Sequence, residues 1–244
     1  LLFLNFKLNC KNLLITKTMK TLNALLLLII IAGFTGCKKV NDTNTNTVTD
    51  IDGNVYQTVT IGTQVWMAEN LKTTKYRNGD PIPNVTDNAA WGALATGAYC
   101  WSNNDAAIYK ATYGGLYNWY AVADSRNIAP TGWHVPTDAE WTTLTTYLGG
   151  ESVAGGKLKE AGTAHWNSPN TGATNSSGFA ARPGDYRYSN GTFGSIGQNG
   201  WWWSSPASDA SNAWHRYLGY SYAVVGRGSN YSKQGGFSVR CVRD

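Results

Sequence analysis

The sequence predicts a mixed domain of short helices and strands joined by long structured loops, and three local signals carry that expectation. Val55–Ile61 (VYQTVTI) alternates apolar and polar residues, and Gly62-Thr63 turns the chain into Gln64-Val65-Trp66-Met67, the pattern of a β-hairpin. Thr137-Asp138-Ala139-Glu140 sets a hydroxyl three residues ahead of a glutamate, which is a capping box; Trp141, Leu144, Thr145 and Leu148 then share one helical face until Gly149-Gly150 stops it. From Gly162 onward Gly and Asn punctuate β-type segments, the strongest at Ala213–Leu218, Tyr222–Val225 and Phe237–Val242. No fixed period runs through the chain, which argues against a solenoid or propeller.

The weaker elements follow from the same rules. Asp50-Ile51-Asp52-Gly53-Asn54 reads as a turn, and Trp91–Trp101, broken by Gly and Ala, as loop with a short strand at Tyr99–Trp101. Gly114–Ala123 carries Leu116, Trp119, Tyr120 and Ala123 at helical spacing and predicts a short buried helix. A third helix over Ser152–Ala161 is weakened by Gly155-Gly156 in its interior.

The first fifty residues read as an address. Leu1–Thr18, ahead of the first Met, is expected to be upstream sequence translated outside the true reading start. Met19-Lys20 opens a basic region, Leu22–Ile31 is an apolar run too short for a comfortable membrane span, and small residues lead to Cys37. Residues 19–36 are therefore expected to be a lipoprotein signal peptide. Thr35-Gly36-Cys37 resembles a lipobox, which implies a lipid on the Cys37 thiol. The polar stretch at 37–49 is expected to be a flexible tether, and 50–244 a single globular domain.

Composition narrows the function classes. The formal charge of +5 owes four units to Lys7, Lys11, Lys17 and Lys20 in the address segment, and without them the chain is nearly neutral. The basic balance therefore gives no support to a nucleic-acid partner. Charged residues make up 14% of the chain, against about a quarter in an average globular protein. Gly, Asn, Ser, Thr and aromatic residues take their place, as is common in extracellular domains. With Cys10 upstream and Cys37 assigned to lipid, Cys100 and Cys241 form an even pair in an oxidising compartment, and a disulfide between them is favoured over two buried free thiols.

Several ordered segments point to one family: Asp50–Leu71 (DIDGNVYQTVTIGTQVWMAENL), Tyr113–Trp119 (YGGLYNW), Gly132–Trp141 (GWHVPTDAEW), Gly178–Arg187 (GFAARPGDYR) and Gly236–Asp244 (GFSVRCVRD). Over residues 50–244 the chain resembles the Fibrobacter succinogenes major paralogous domain of surface and secreted bacterial proteins. Members often read Leu-Pro-Gly-Gly where this chain has Arg182-Pro183-Gly184-Asp185. That family is distantly similar to formylglycine-generating enzymes and to C-type lectin-like domains. The resemblance implies an α+β, C-type lectin-like fold: short helices on a twisted, mostly antiparallel sheet with long structured loops. It implies a compartment, and it supplies no reaction.

The residues argue against most chemistries. Formylglycine-generating enzymes use a cysteine pair near the C-terminus, and the corresponding stretch here, Gly226–Tyr231, has none. Asp50, Asp52 and Asn54 mimic the start of a calcium loop, but Val55 and Ile61 stand where Gly and a bidentate Glu are required. The tripeptides by which calcium-dependent lectins hold sugar are absent. His134, His165 and His215 lack ligand spacing, so no metal or other cofactor is expected. Glu140 is accounted for by capping and His134 by packing beside Trp133, which leaves no expected catalytic residue.

Aromatic side chains remain as the binding resource. Trp201, Trp203, Trp214 and Tyr220 are the candidate ligand-binding residues, with Tyr217, Tyr222 and Tyr231 close in sequence. In a strand through Trp201-Trp202-Trp203 the middle ring faces away from the other two, and burial in a weak core competes with exposure for each of them. The expected protein is a non-catalytic binding or adhesion lipoprotein of the cell envelope, anchored in the outer membrane, that recognises a polysaccharide or a surface protein. The alternatives are a drifted formylglycine-generating-like enzyme and a purely structural surface protein.

Overall fold

The structure, a computed structural model, describes residues 46–194 and 196–244. Cys10, Cys37, the signal segment and most of the tether lie outside the described residues. The fold is α+β. Among the described residues its helices span at most ten residues, and none is long and apolar enough to cross a membrane.

The hairpin forms where the alternation places it. β2 (Val55–Ile61) and β3 (Gln64–Met67) pair antiparallel through the Gly62-Thr63 turn. The domain begins earlier than expected. Thr47–Thr49, assigned to the flexible tether, form β1 and pair with Val55–Gln57 of β2. The intervening turn is organised by Asp50, whose carboxylate accepts from the Asp52 and Asn54 amides at 3.0 and 2.9 Å and from the Tyr56 hydroxyl.

α1 (Asn88–Gly92) arises in a region expected to begin as loop, because Asp87 caps it by accepting from the Ala90 amide. β4 (Tyr99–Cys100) precedes α2 (Ala106–Tyr113) and β5 (Leu116–Tyr117). The helix expected over Gly114–Ala123 shrinks to one turn, α3 (Trp119–Val122). Gly114 holds φ at 76°, Leu116 and Tyr117 pair with β4, and the Asn118 side chain caps the turn that follows. β6 (Trp133–His134) leads into α4 (Asp138–Tyr147), whose capping box closes on both arms: Thr137 Oγ1 accepts from the Glu140 amide, and the Glu140 carboxylate accepts from the Thr137 amide at 2.8 Å. α5 (Glu151–Leu158) follows despite its glycines, whose missing Cβ atoms let it lie against the carbonyls of Gly172, Ala223 and Val224.

The C-terminal half supplies β7 (Asn199–Ala207), β8 (Asn212–Gly219), β9 (Gly226–Ser232) and β10 (Val242–Arg243). One sheet runs β1-β2-β3-β10-β6 and a second β7-β8-β9, both antiparallel; β4 and β5 form a third pair. Tyr222–Val225, expected as a strand, is a connection: the Val225 amide donates to Glu151 O and Tyr222 O accepts from Lys159. Phe237–Val242 is extended and links the sheets, bridging Tyr117 at Phe237 and Trp202 at Ser238 before β10 joins β3 and β6.

Residues 159–198 form a long connection without a helix or strand among those described. Buried and half-buried cations organise such loops through backbone carbonyls. Lys159 donates to Thr171, Gly219 and Tyr222 carbonyls at 2.8–3.0 Å, Arg77 to those of Ala129, Pro130 and Trp133, and Arg187 to those of Val85, Thr86 and Gly191. None of the three forms an ion pair with a described carboxylate. In a chain poor in acidic residues, charge-assisted bonds to carbonyls satisfy both the cations and loop backbone that secondary structure leaves unpaired.

The core comprises a large cluster around Tyr117, Trp203, Phe237 and Cys241, a second around Trp66, Trp141, Phe179 and Trp202, and a small third around Trp91 and Cys100. The disulfide expected between Cys100 and Cys241 is corrected by this arrangement. Both thiols are free and fully buried, and they sit in different clusters, where each packs as a small apolar side chain.

Candidate functional site

The three-stranded sheet builds an aromatic surface from two cross-strand rows. Register places Trp201 opposite Tyr217 and Tyr217 opposite Gly226; the next row on that face is Trp203, His215 and Gly228. The Trp201 and Tyr217 rings stack with centroids 4.8 Å apart and planes 24° apart. Both glycines are required by the rings. A Cβ on Gly226 would fall 2.0 Å from the Tyr217 ring, and one on Gly228 would fall 2.4 Å from His215 Nε2. The rings therefore lie across the edge strand, where side chains on β9 would otherwise stand.

Around this row the rings grade from core to surface. Trp203 is fully buried, packs 4.2 Å from Phe237, and donates its indole N–H to Tyr117 O. His215 is buried among aromatic rings, and that burial pushes its pKa down to about 4, so it is neutral at physiological pH. Trp201, Tyr217, Tyr231 and Tyr186 are half-buried, and Tyr188 is 40% exposed. Tyr186 packs on Trp201 at 5.3 Å and on Tyr188 at 4.7 Å, and the two tyrosine hydroxyls share a hydrogen bond. The result is a rim of flat rings and phenolic hydroxyls over an aromatic base.

Of the four predicted ligand-binding residues, only Trp201 belongs to this rim. The alternation along Trp201-Trp202-Trp203 is present, but both faces of β7 are covered, so Trp203 is core on one side as Trp202 is on the other. Trp214 stands one residue out of phase with His215 and lies beneath Arg227, whose guanidinium is 4.0 Å above the ring and bound to Asp138. Tyr220 lies beyond the end of β8 and packs against the second cluster. The sequence gives no sign of Tyr186 and Tyr188, and it names Tyr217 only as a neighbour of the candidates. A β-hairpin register between Trp201 and Tyr217 would have identified the latter, whereas the tyrosines at 186 and 188 come from the long loop.

The histidines are placed by polar partners. His134, expected to pack beside Trp133, instead reaches Glu140 through Nε2 at 2.7 Å and Asp244 through Nδ1 at 2.6 Å. Burial opposes the charged ring, but the hydrogen bonds to Asp244 and Glu140 outweigh it and hold the His134 pKa above its ordinary 6.5. His165 meets Glu160 at 2.5 Å. Among the described residues no group of three or more His, Cys, Asp or Glu side chains is placed to hold a metal ion.

The profile of the family described as Fibrobacter succinogenes major domain matches residues 59–243, from within β2 to the last strand. The chain belongs to that family. No curated protein and no solved structure matches the chain. The Fibrobacter succinogenes major domain here thus includes every strand of the aromatic sheet, the capped α4 and both free thiols. In the loop Arg182-Pro183-Gly184-Asp185, Asp185 holds φ at 70°, a left-handed conformation that glycine adopts without strain. Its buried carboxylate accepts from Ser102 Oγ at 2.8 Å and from the Tyr186 amide at 2.7 Å.

Proposed function

We propose that this chain is a non-catalytic binding module of the cell envelope that recognises an uncharged glycan on the rim formed by Trp201, Tyr217, Tyr186 and Tyr188. The carrying observation is the Trp201–Tyr217–Gly226 row, in which glycine on the edge strand lets stacked rings spread across the sheet. Sugar rings present flat C–H faces that stack on such surfaces, and phenolic hydroxyls supply partners for sugar hydroxyls. The arrangement of long loops beside antiparallel strands fits this reading. So does the role of Glu140, whose carboxylate is committed to Thr137 and His134, which supports a structural duty over an acid–base one. In the same reading Cys37 carries lipid, residues 38–46 hold the domain off the outer membrane, and a polysaccharide or glycosylated surface protein is the partner.

The test is a screen of neutral polysaccharides by affinity electrophoresis, with melting temperature recorded for each variant. Tyr188→Ala and Tyr217→Ala are expected to weaken binding by about tenfold or more while the domain stays folded, the usual effect of removing an aromatic hot spot. Trp203→Ala is expected to unfold the domain. EDTA should change nothing. Loss of stability and binding in parallel for every rim variant, or no bound polysaccharide, would overturn the reading. Intact mass of the membrane-extracted protein tests the anchor: an unmodified Cys37 would remove it.

A further inference from the structure

Away from the aromatic sheet, a cleft of about 330 Å³ opens between the end of β3, the end of α2 and the long loop. That size lies at the lower end for small-molecule pockets, roughly 300–1,000 Å³. Its wall holds three cations, Lys72, Arg182 and Arg240, and one carboxylate, Glu69. Arg240 forms the back. It is 1% exposed, lies 4.1 Å over the Phe179 ring, and donates only to neutral acceptors, namely Asn70 Oδ1 and the Phe179 and Ala180 carbonyls. No described carboxylate lies within ion-pair distance of it. Burial lowers the Arg240 pKa to about 9; the Glu69 carboxylate works against that shift and the Arg182 charge adds to it.

The other two cations keep donors in reserve. Arg182 uses Nε on Glu160 at 3.0 Å and Nη1 on Thr112 O at 3.3 Å, and its Nη2 has no partner among the described residues. Lys72 spends one of its three N–H bonds on Glu69 at 2.8 Å. The Gln57 side-chain amide also lines the cleft and makes no hydrogen bond to a described residue.

We propose that this cleft binds a single carboxylate group, held between Arg182 Nη2 and Lys72 Nζ in the field of the buried Arg240. With Lys72 paired to Glu69 and Arg182 to Glu160, Arg240 is the one cation of the wall without an ion pair to a described residue, so one negative charge is what the cleft can take. A doubly charged group would be opposed by Glu69, and a neutral ligand would leave Arg240 with no ion-pair partner. A buried cation facing an incoming anion in a site of low dielectric interacts far more strongly than the same pair in water. Two sources offer this chemistry, the carboxylate of a uronic sugar and that of a free organic acid. For the sugar, Gln57 is placed to meet a ring hydroxyl.

The test uses the purified chain and isothermal titration with sodium glucuronate, glucose and sodium acetate at fixed ionic strength. Glucuronate is expected to bind and glucose not to. Acetate matching glucuronate would assign the site to free organic acids, and glucuronate binding tighter would assign it to acidic sugars; either supports the proposal. Arg182→Gln is expected to weaken glucuronate binding tenfold or more. Should that variant fail to fold through loss of the Glu160 pair, Lys72→Met reads the same site from the other wall. No binding of either carboxylate, or unchanged affinity in a folded variant at both positions, would overturn the proposal.

Discussion

His134 Nε2 and Glu140 Oε1 stand 2.7 Å apart, while the other oxygen of the same carboxylate accepts from the Thr137 amide that opens α4. One side chain thus joins the helix cap to β6, and through His134 to Asp244 beyond β10. Because the His134 pKa is raised in the folded domain, this contact contributes fully below the ordinary 6.5 and fades as pH rises through the higher folded value. The denaturation midpoint should therefore fall as pH rises above neutral. Glu140→Gln can still close the box through its carbonyl oxygen, but it removes one carboxylate from the ring. The variant should show a lower His134 pKa by NMR titration and a flatter decline; an unchanged titration would separate Glu140 from the histidine.

Thr137→Ala removes the side-chain acceptor for the Glu140 amide. The expected cost is about 1 kcal/mol, the scale of a lost N-cap. Urea denaturation of the variant beside the parent measures it, and an unchanged midpoint would contradict the capping geometry.

Asp185 is buried, and burial raises its pKa above the ordinary carboxylate value. A raised pKa means that its contribution is present below the ordinary 3.8 and is lost as pH climbs through the folded value. Asp185→Asn keeps an acceptor for the Tyr186 amide, tolerates the left-handed backbone and removes the buried charge. The variant should be more stable than the parent at pH 7 and lose that part of the acid-range dependence, as denaturation midpoints at several pH values would show.

Cys100 and Cys241 should remain unreactive towards a thiol reagent until the domain unfolds. Burial pushes the Cys100 pKa up to about 12 and raises that of Cys241 as well, so neither presents a thiolate. Melting temperatures with and without reductant should coincide. A reductant-dependent melt would restore the bridge that the sequence favours.

Lys159→Met should destabilise the domain by roughly 3 kcal/mol or more, because the three carbonyls of Thr171, Gly219 and Tyr222 would lose a buried donor. Lys159→Arg should not rescue it, since a planar fork does not reproduce the three directions of an ammonium. Chemical denaturation of both variants decides the matter.

Local chemistry made parts of this structure readable in advance. The hairpin at Gly62-Thr63, the Asp50 turn and the Thr137–Glu140 box are each set by residues within a few positions of one another. Errors arose where distant partners decide. Leu116 shares helical spacing with Trp119, Tyr120 and Ala123, but it and Tyr117 are captured by Cys100 and Tyr99, and Tyr222–Val225 is drawn off by Glu151 and Lys159. The aromatic rim was half legible for the same reason: alternation separates Trp202 from its neighbours, yet only the second sheet face hides Trp203. Nothing in local sequence marks Arg182 and Arg240 as neighbours across one cleft.

The carbonyl-held cations change what the long connection is. Lys159 reaches acceptors 12, 60 and 63 residues further along the chain, so one ammonium closes nested loops that would each cost conformational entropy. A protease must draw a locally opened stretch of backbone into its active site, and here opening the chain around Lys159 means breaking these bonds together. A stretch rich in Gly, Asn and Ser, with the composition of an easily nicked linker, is thereby tied at Lys159 and Thr171 to the Gly219–Tyr222 backbone. Its order then depends on a few interior cations, where a chain of this composition would ordinarily need helix or sheet.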